Sequence, residues 1–249
     1  MRDISPAIFI GNLPGLCAVT EENGIISIGA GVTYTEAFST LSKRIPALGP
    51  LFDRIGGEQV RNMGTIGGNV ANGDTPPPLI ALGARLTLRK GKKRRTIPLQ
   101  DFFIAYGKQD RQPGEFVEAV HVPVPAKDVK FAVYKITKRR DEDITATLGA
   151  FCLALAKDGT VADIRIAYGG MAATPKRASA VEQALIGKIW SEATVEAAMA
   201  EYAKDFTPLT DMRATAEYRA LAAKNLLLRF YVETTGTKAP FQVSRSEAA

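Results

Sequence analysis

The chain has 249 residues, 46% of them hydrophobic and 23% charged, with a net charge of +6, and is long enough to bury one large core or two modest ones. Two cysteines, Cys17 and Cys152, and one histidine, His121, are too few for a four-ligand iron–sulfur cluster or a structural zinc site, so no metal centre is expected. The sequence shows no signal-peptide pattern and no run of 18 apolar residues, which sets aside export and membrane spanning and makes the cytoplasm the expected location.

In chain order, residues 25–28 read as a strand. Thr33-Tyr-Thr-Glu36 is a capping box, and Phe38, Leu41 and Ile45 follow at helical spacing before Pro46, predicting a helix over 33–45. Residues 61–74 are polar and glycine-rich. Thr75-Pro-Pro-Pro78 closes them with a rigid step that has no chemistry of its own. Residues 85–89 and 116–122 read as strands. After the first of these, Arg89-Lys-Gly-Lys-Lys-Arg-Arg95 puts six cations around one glycine, the pattern of a hairpin tip. A solvated turn is the plain reading of that tip; a docking patch for an acidic partner or for nicotinamide-cofactor phosphates is the alternative. No aromatic residues interleave with these charges, so nucleic acid is not an expected partner. Val120 and Val122 alternate with His121, which predicts a sheet-face histidine and not a catalytic base.

A break at Pro123-Val-Pro125 predicts two domains, 1–125 and 126–235, and a loose tail, 236–249. Beyond the break, 131–136, 147–156 and 161–168 predict three strands, the last two joined through Asp158-Gly159. Cys152 lies in the apolar run at 150–155 and is expected in the core. Thr174-Pro175 predicts the cap and first position of a helix carrying Ala178, Val181 and Leu185 and ending at Gly187. Ser191 opens a second helix with Val195, Ala198, Met199 and Tyr202 on one face, and Ala216, Ala220, Ala223, Leu227 and Phe230 mark a third. The class is α+β.

The run Arg-Asn-Met-Gly-Thr-Ile-Gly-Gly-Asn-Val-Ala-Asn-Gly-Asp at 61–74 is the strongest chemical signal. Gly64, Gly67 and Gly68 admit positive φ, so consecutive N–H groups are expected to converge on a bulky anion, with Thr65 and Asn69 adding donors. The lysine of a mononucleotide P-loop and the glycine spacing of the dinucleotide fingerprint are both absent. Without a ligand, the run reads as a glycine-rich structural turn.

From Arg54-Ile-Gly-Gly-Glu-Gln-Val60 through this run to Leu86, the chain resembles the FAD-binding domain of molybdenum hydroxylases, most closely the small, FAD-binding subunit of bacterial xanthine dehydrogenase. Segments at 106–117, 134–144, 169–178 and 205–213 resemble later parts of the same family in the same order. The resemblance implies the C-terminal part of a PCMH/VAO-type FAD-binding domain, followed by a smaller domain in which an antiparallel three-stranded sheet packs with helices. It implies FAD as cofactor and a xanthine dehydrogenase-type oxidoreductase. In such an enzyme, electrons taken from a purine on a molybdenum-binding large subunit pass through iron–sulfur domains to FAD and then to NAD. Sibling enzymes that oxidise aldehydes, CO or N-heterocycles are the alternative, because the flavin part never touches that substrate.

Residue by residue, the resemblance implies Thr65, Gly67, Gly68 and Asn69 at the diphosphate and Asp74 closing the loop. It implies Ile55 and Gly56 near the flavin, Val117 meeting the ring through its backbone, and Lys135 beside it. No nucleophile–histidine pair or compelling carboxylate pair stands out, so no catalytic residue is assigned and the polypeptide holds and tunes the flavin. Lys135 also has a reading of its own. It shares a strand face with Phe131 and Val133, where an ammonium group is costly without a partner; a flavin or substrate anion would serve, as would Asp141 or Asp143.

The chain departs from the family pattern in two places. It passes directly from Asn72-Gly73 to Asp74 where the family reads Asn-Gly-Ser-Pro-Ile-Gly-Asp, and nothing resembles the family's first, N-terminal βαβ diphosphate loop. The expectation is a chain that begins inside the flavin domain, without the iron–sulfur domains. By itself it would hold FAD weakly or act as a cofactor-free interaction module, and in the full enzyme it would join a hetero-oligomer away from membranes.

Overall fold

The computed structural model of the chain describes residue 10 and residues 13–71 and 74–236. Asn72 and Gly73, at the predicted shortened loop, and the predicted tail from 237 onward lie outside the described residues.

Alternating aliphatic residues build a first sheet from β1 (Val19–Glu22), β2 (Ile25–Gly29), β3 (Arg85–Lys90) and β4 (Lys93–Pro98). A small pair follows, β5 (Phe103–Ala105) and β6 (Lys108–Gln109), and then β7 (Phe116–Pro123) joins the first sheet. Its order is β1-β2-β7-β3-β4, antiparallel throughout. Ile26, Ile28, Leu86, Leu88, Val120 and Val122 all lie fully buried on it, each contributing roughly 1.5–3 kcal/mol relative to exposure. Gly91, at the hairpin tip between β3 and β4, has φ +57°, a conformation that favours glycine.

Five short helices lie between β2 and β3 in the chain: α1 (Tyr34–Arg44), α2 (Gly49–Phe52), α3 (Glu58–Met63), α4 (Ile66–Ala71) and α5 (Pro76–Ala81). All but α3 add buried residues to the first core; α4 packs on β2 and β7, and α5 on the strands Thr147–Leu155 and Val161–Gly169. Thr33 caps α1 as the capping box predicts, its hydroxyl accepting from the Glu36 N–H. The three prolines that predict a rigid step form the first turn of α5, where a helix has no use for their missing N–H groups.

The second sheet contains β8 (Lys130–Ile136), β9 (Thr147–Leu155), β10 (Val161–Gly169) and the two-residue β11 (Lys176–Arg177), in the order β11-β10-β9-β8. The three predicted strands are present; β11 is an addition. It also corrects the helix expected from Thr174-Pro175. Lys176 and Arg177 pair with Tyr168 and Ala167, and the Ala178 N–H donates to Ile166 O, so the backbone stays extended and α6 (Ser179–Leu185) begins later. Ser191 caps α7 (Glu192–Met199) as expected. The stripe running to Tyr202 is broken, because the Ala200 and Glu201 N–H groups bond three residues back and tighten the chain before α8 (Tyr202–Asp205). The long α9 (Ala216–Thr234) completes the layer. Among the described residues, no helix is long and apolar enough to cross a membrane.

Strand β9 joins two cores. Leu148, Ala150 and Cys152 belong to the cluster of the first sheet and its helices, while Phe151 and Leu153 belong to a second cluster with Tyr168, Leu227 and Phe230. A strand buried on both faces reads as an unbroken apolar run, which accounts for residues 150–153; Ala154 is half-buried and Leu155 exposed. Cys152 is buried, as expected of a core residue.

Candidate cofactor site

The glycines at 64–68 do not form the open, positive-φ loop that their composition predicts. Gly64 has φ −66°, and Gly67 and Gly68 lie within α4. The Ile66 N–H donates to Val32 O at 2.9 Å and the Gly67 N–H to Ala30 O at 3.0 Å, while the Gly68 N–H donates to Thr65 Oγ1 at 3.2 Å. Amides expected to meet an anion are thus committed to the fold. Glycine is required here by close approach: a Cβ on Gly67 would stand 2.6 Å from the Ala30 Cβ, and one on Gly64 would stand 2.8 Å from the Tyr34 ring. At Gly68 the same atom would meet only Thr65 Oγ1, at 3.3 Å. Gly68 is exposed and Thr65 half-buried, so these two present the outward surface of the turn.

Asn69 faces inward. It is 3% exposed, and its Oδ1 accepts from the Thr75 N–H at 3.1 Å and from the Thr75 hydroxyl, stapling α4 to the cap of α5. Tyr34 also hydrogen-bonds Asn69; burial pushes its phenol up, the Asn69 bond opposes this, and the Asp74 charge adds to it. Tyr34 therefore stays protonated beside the site.

Asp74 and Lys135, which the sequence marks separately, meet. Lys135 Nζ lies 2.7 Å from Asp74 Oδ2, with the lysine side chain 3% exposed, and it also donates to Arg54 O at 3.2 Å. The carboxylate found on it is thus Asp74, from the first family-like stretch, and Asp143 is engaged elsewhere. Asp143 accepts from the backbone N–H and side chain of Arg139, which hold its carboxyl down at about 2. Next to Arg54, Gly56 has φ +58°, and Arg61 donates to its carbonyl at 2.5 Å and to that of Ile55 at 3.4 Å. The Ile55–Gly56 turn is thereby pinned.

Val117 turns to the core face of the first sheet through a bulge. Pairing passes from Thr87↔Ala119 to Leu88↔Val117 and skips Glu118, which reverses the alternation and packs Val117 against the first core. The Glu118 carbonyl accepts the Ala30 N–H at 2.9 Å, so β7, Ala30 and Gly67 form one continuous ladder of contacts. Sequence reading missed Tyr34, whose aromatic ring read as helix, and Arg54, which adjoins the Ile55–Gly56 pair but carries no pattern of its own. It also missed a cavity of about 470 Å³ beside Asp74, walled by Pro76, Tyr106, Thr145 and Gly170, because its walls come from distant parts of the chain.

Two other candidates resolve structurally. His121 sits between hydroxyls, Nδ1 at 2.9 Å from Ser27 Oγ and Nε2 at 2.8 Å from Thr87 Oγ1, on the sheet face as predicted. In the basic hairpin, Arg89 and Arg94 bind Glu118, and Arg95 binds Asp110 and Glu115; the Arg95 hydrogen bond holds the Glu115 carboxyl down at about 2. Lys90, Lys92 and Lys93 are left as the exposed charge of the tip.

An antiparallel sheet with short helices, followed by a second sheet with a helical layer, defines a flavoprotein of the type matched by two family models. Residues 1–125 match the FAD binding domain in molybdopterin dehydrogenase, and residues 132–234 match the CO dehydrogenase flavoprotein C-terminal domain. The chain belongs to this family of flavoprotein subunits of molybdenum hydroxylases, whose cofactor is FAD. It is similar to the glyceraldehyde dehydrogenase medium chain of Sulfolobus acidocaldarius, with 34% identity covering 86% of this chain and 77% of that one. It is also similar to the xanthine dehydrogenase FAD-binding subunit of Escherichia coli O157:H7, with 31% identity covering 84% and 74%. A chain of the carbon monoxide dehydrogenase from Hydrogenophaga pseudoflava superposes with a TM-score of 0.81 at 31% identity, covering 88% of this chain and 78% of that one.

Proposed function

We propose that this chain carries electrons through FAD to NAD as the flavin-binding part of a xanthine dehydrogenase-type enzyme in the cytoplasm. The electrons would come from a molybdenum-binding large subunit by way of iron–sulfur domains. The observation that carries the reading is the buried Lys135 ammonium group, paired with Asp74 and set beside the Ile55–Gly56 turn. The pair with Asp74 is net neutral, so what it offers a ring that gains negative charge on reduction is an oriented ammonium N–H donor in a poorly solvated place, one way a protein tunes a flavin. In this reading Thr65 and Gly68 contact the diphosphate, Gly67 and Asn69 hold their geometry, and Ile55, Gly56 and Val117 flank the ring. An aldehyde-oxidising partner is a second reading, favoured by the 34% identity to the glyceraldehyde dehydrogenase chain.

The test is to titrate the purified chain with FAD and follow flavin fluorescence, then add NADH without oxygen. Weak but saturable quenching, with half-saturation at roughly micromolar FAD or above, followed by bleaching of the flavin with NADH, is expected. Quenching without bleaching would remove NAD from the scheme. Substrate reduction of the flavin with the partner subunits present, using a purine against an aldehyde, separates the two readings.

A further inference from the structure

The site draws on two stretches matched by different family models, and one side chain ties them together. Arg54 Nε donates to Arg140 O at 2.8 Å, Nη1 to Lys135 O at 2.9 Å and Nη2 to Thr137 Oγ1 at 2.8 Å. The contact is reciprocal, because Lys135 Nζ returns to Arg54 O at 3.2 Å while it pairs with Asp74 at 2.7 Å. The acceptors are neutral and spread over six residues of one segment, a geometry that a planar guanidinium with donors at fixed angles fits and a single ammonium does not. Arg54 also directly precedes the Ile55–Gly56 turn, whose carbonyls Arg61 holds from the other side.

We propose that Arg54 is the positioning residue of this site. Its fork holds the backbone of the 135–140 segment against the Ile55–Gly56 turn, and so fixes where the Lys135 side chain starts; the ammonium group itself rests on Asp74 and the Arg54 carbonyl, and binding at Lys135 depends on Arg54 although Arg54 itself need touch no ligand. The role rests on the reading above that Lys135 and Ile55–Gly56 face FAD. A brace that only held the fold together would act on stability alone. A positioning residue acts on the exposure and affinity of Lys135 in a chain that remains folded, and lysine does not replace it.

Two readouts on the full chain test this. Lys135 is 3% exposed and should acetylate slowly with acetic anhydride, as followed by peptide mass mapping; FAD affinity is followed by fluorescence quenching. In Arg54→Ala, with an unchanged circular dichroism spectrum, acetylation of Lys135 should accelerate and FAD affinity should fall, each by about tenfold or more, the loss expected when even one charge-assisted hydrogen bond goes. Arg54→Lys should behave like Arg54→Ala, and ethylguanidinium added to Arg54→Ala should restore both readouts. Unchanged acetylation in folded Arg54→Ala, or full rescue by lysine, would overturn the proposal. If the wild-type chain quenches no FAD even at roughly millimolar concentration, the reading of this chain as flavin-binding by itself fails, and the acetylation rates still decide whether Arg54 positions Lys135. Should Arg54→Ala not fold, Thr137→Val removes the Nη2 acceptor, and with it the hydroxyl's own bond to Arg139 O, with little change of shape. Faster Lys135 acetylation in that variant supports the lock, and an unchanged rate rejects it.

Discussion

His121 is the chain's one histidine, so it leaves a separable mark on stability. Burial lowers its pKa, the Arg85 charge lowers it further, and Glu118 pulls the other way. The ring is therefore neutral in the folded chain, one nitrogen donating and the other accepting between Ser27 and Thr87. The unfolded chain takes up this proton first, near pH 6.5, so stability from the neutral ring is present above that pH and lost as the pH falls toward the lower folded value. The urea midpoint of the wild type should fall between about pH 7 and pH 5.5 more steeply than that of His121→Gln. Parallel slopes would mean that the ring takes its proton as readily folded as unfolded. Lys135 has a related lesson. A cation on an apolar strand face needs a partner, and alternation alone locates the need; the partner, Asp74, comes from 61 residues earlier in the chain.

At the level of elements, α4 separates two kinds of glycine. Gly67 packs against the Ala30 backbone with no room for a methyl group, while Gly68 looks outward. Gly67→Ala should destabilise the chain by about 1–3 kcal/mol through overpacking. Gly68→Ala should leave stability within about 0.5 kcal/mol and, if this surface meets the diphosphate, weaken FAD binding. Urea unfolding of both variants with a parallel FAD titration checks the split, and equal destabilisation would show that the helix tolerates neither. The bulge at Glu118 is the second decisive element. It brings Val117 onto the core face and leaves the Glu118 carboxylate to Arg89 and Arg94, so one irregularity in β7 both sets the orientation of Val117 and neutralises two cations of the basic hairpin. Two of the six hairpin cations bind this one carboxylate and Arg95 binds two others, which reduces the case for the tip as a docking patch.

For the molecule as a whole, the two cores share β9, and α5 packs on β9 and β10. Leu148, Ala150, Cys152 and Ala167 of the second sheet belong to the cluster of the first, so neither core closes without the other. Unfolding should therefore be one cooperative transition. The fluorescence of Trp190, the chain's one tryptophan, reports the second cluster, whereas far-ultraviolet circular dichroism reports all the helices and strands. The two should give coincident urea curves, and separated midpoints would mean that the halves fold independently. This shared core also explains how a site can be built across both family-matched stretches: Arg54 and Asp74 from one and Lys135 from the other are held by common packing as well as by their own hydrogen bonds.

Much of this was legible from sequence because it is local. The capping box at Thr33, the alternation of Val120, His121 and Val122, the three strands after Pro125 and the Ala223, Leu227 and Phe230 part of the stripe of α9 each depend on neighbours a few residues away, and each stands in the structure; Ala216 and Ala220 of that stripe are only half-buried. The family segments at 54–86 and beyond likewise announced a flavoprotein by their order along the chain. What composition could not decide was what each glycine was for, since Gly67 and Gly64 answer to Ala30 and Tyr34, and a clash exists only between surfaces already brought together. The same holds for Lys176-Arg177, where pairing with β10 overrode a local helix signal. The pairing of Lys135 with Asp74 and the clasp of Arg54 are tertiary for the same physical reason: a buried charge is satisfied by whichever groups the fold delivers, and chain spacing does not name them.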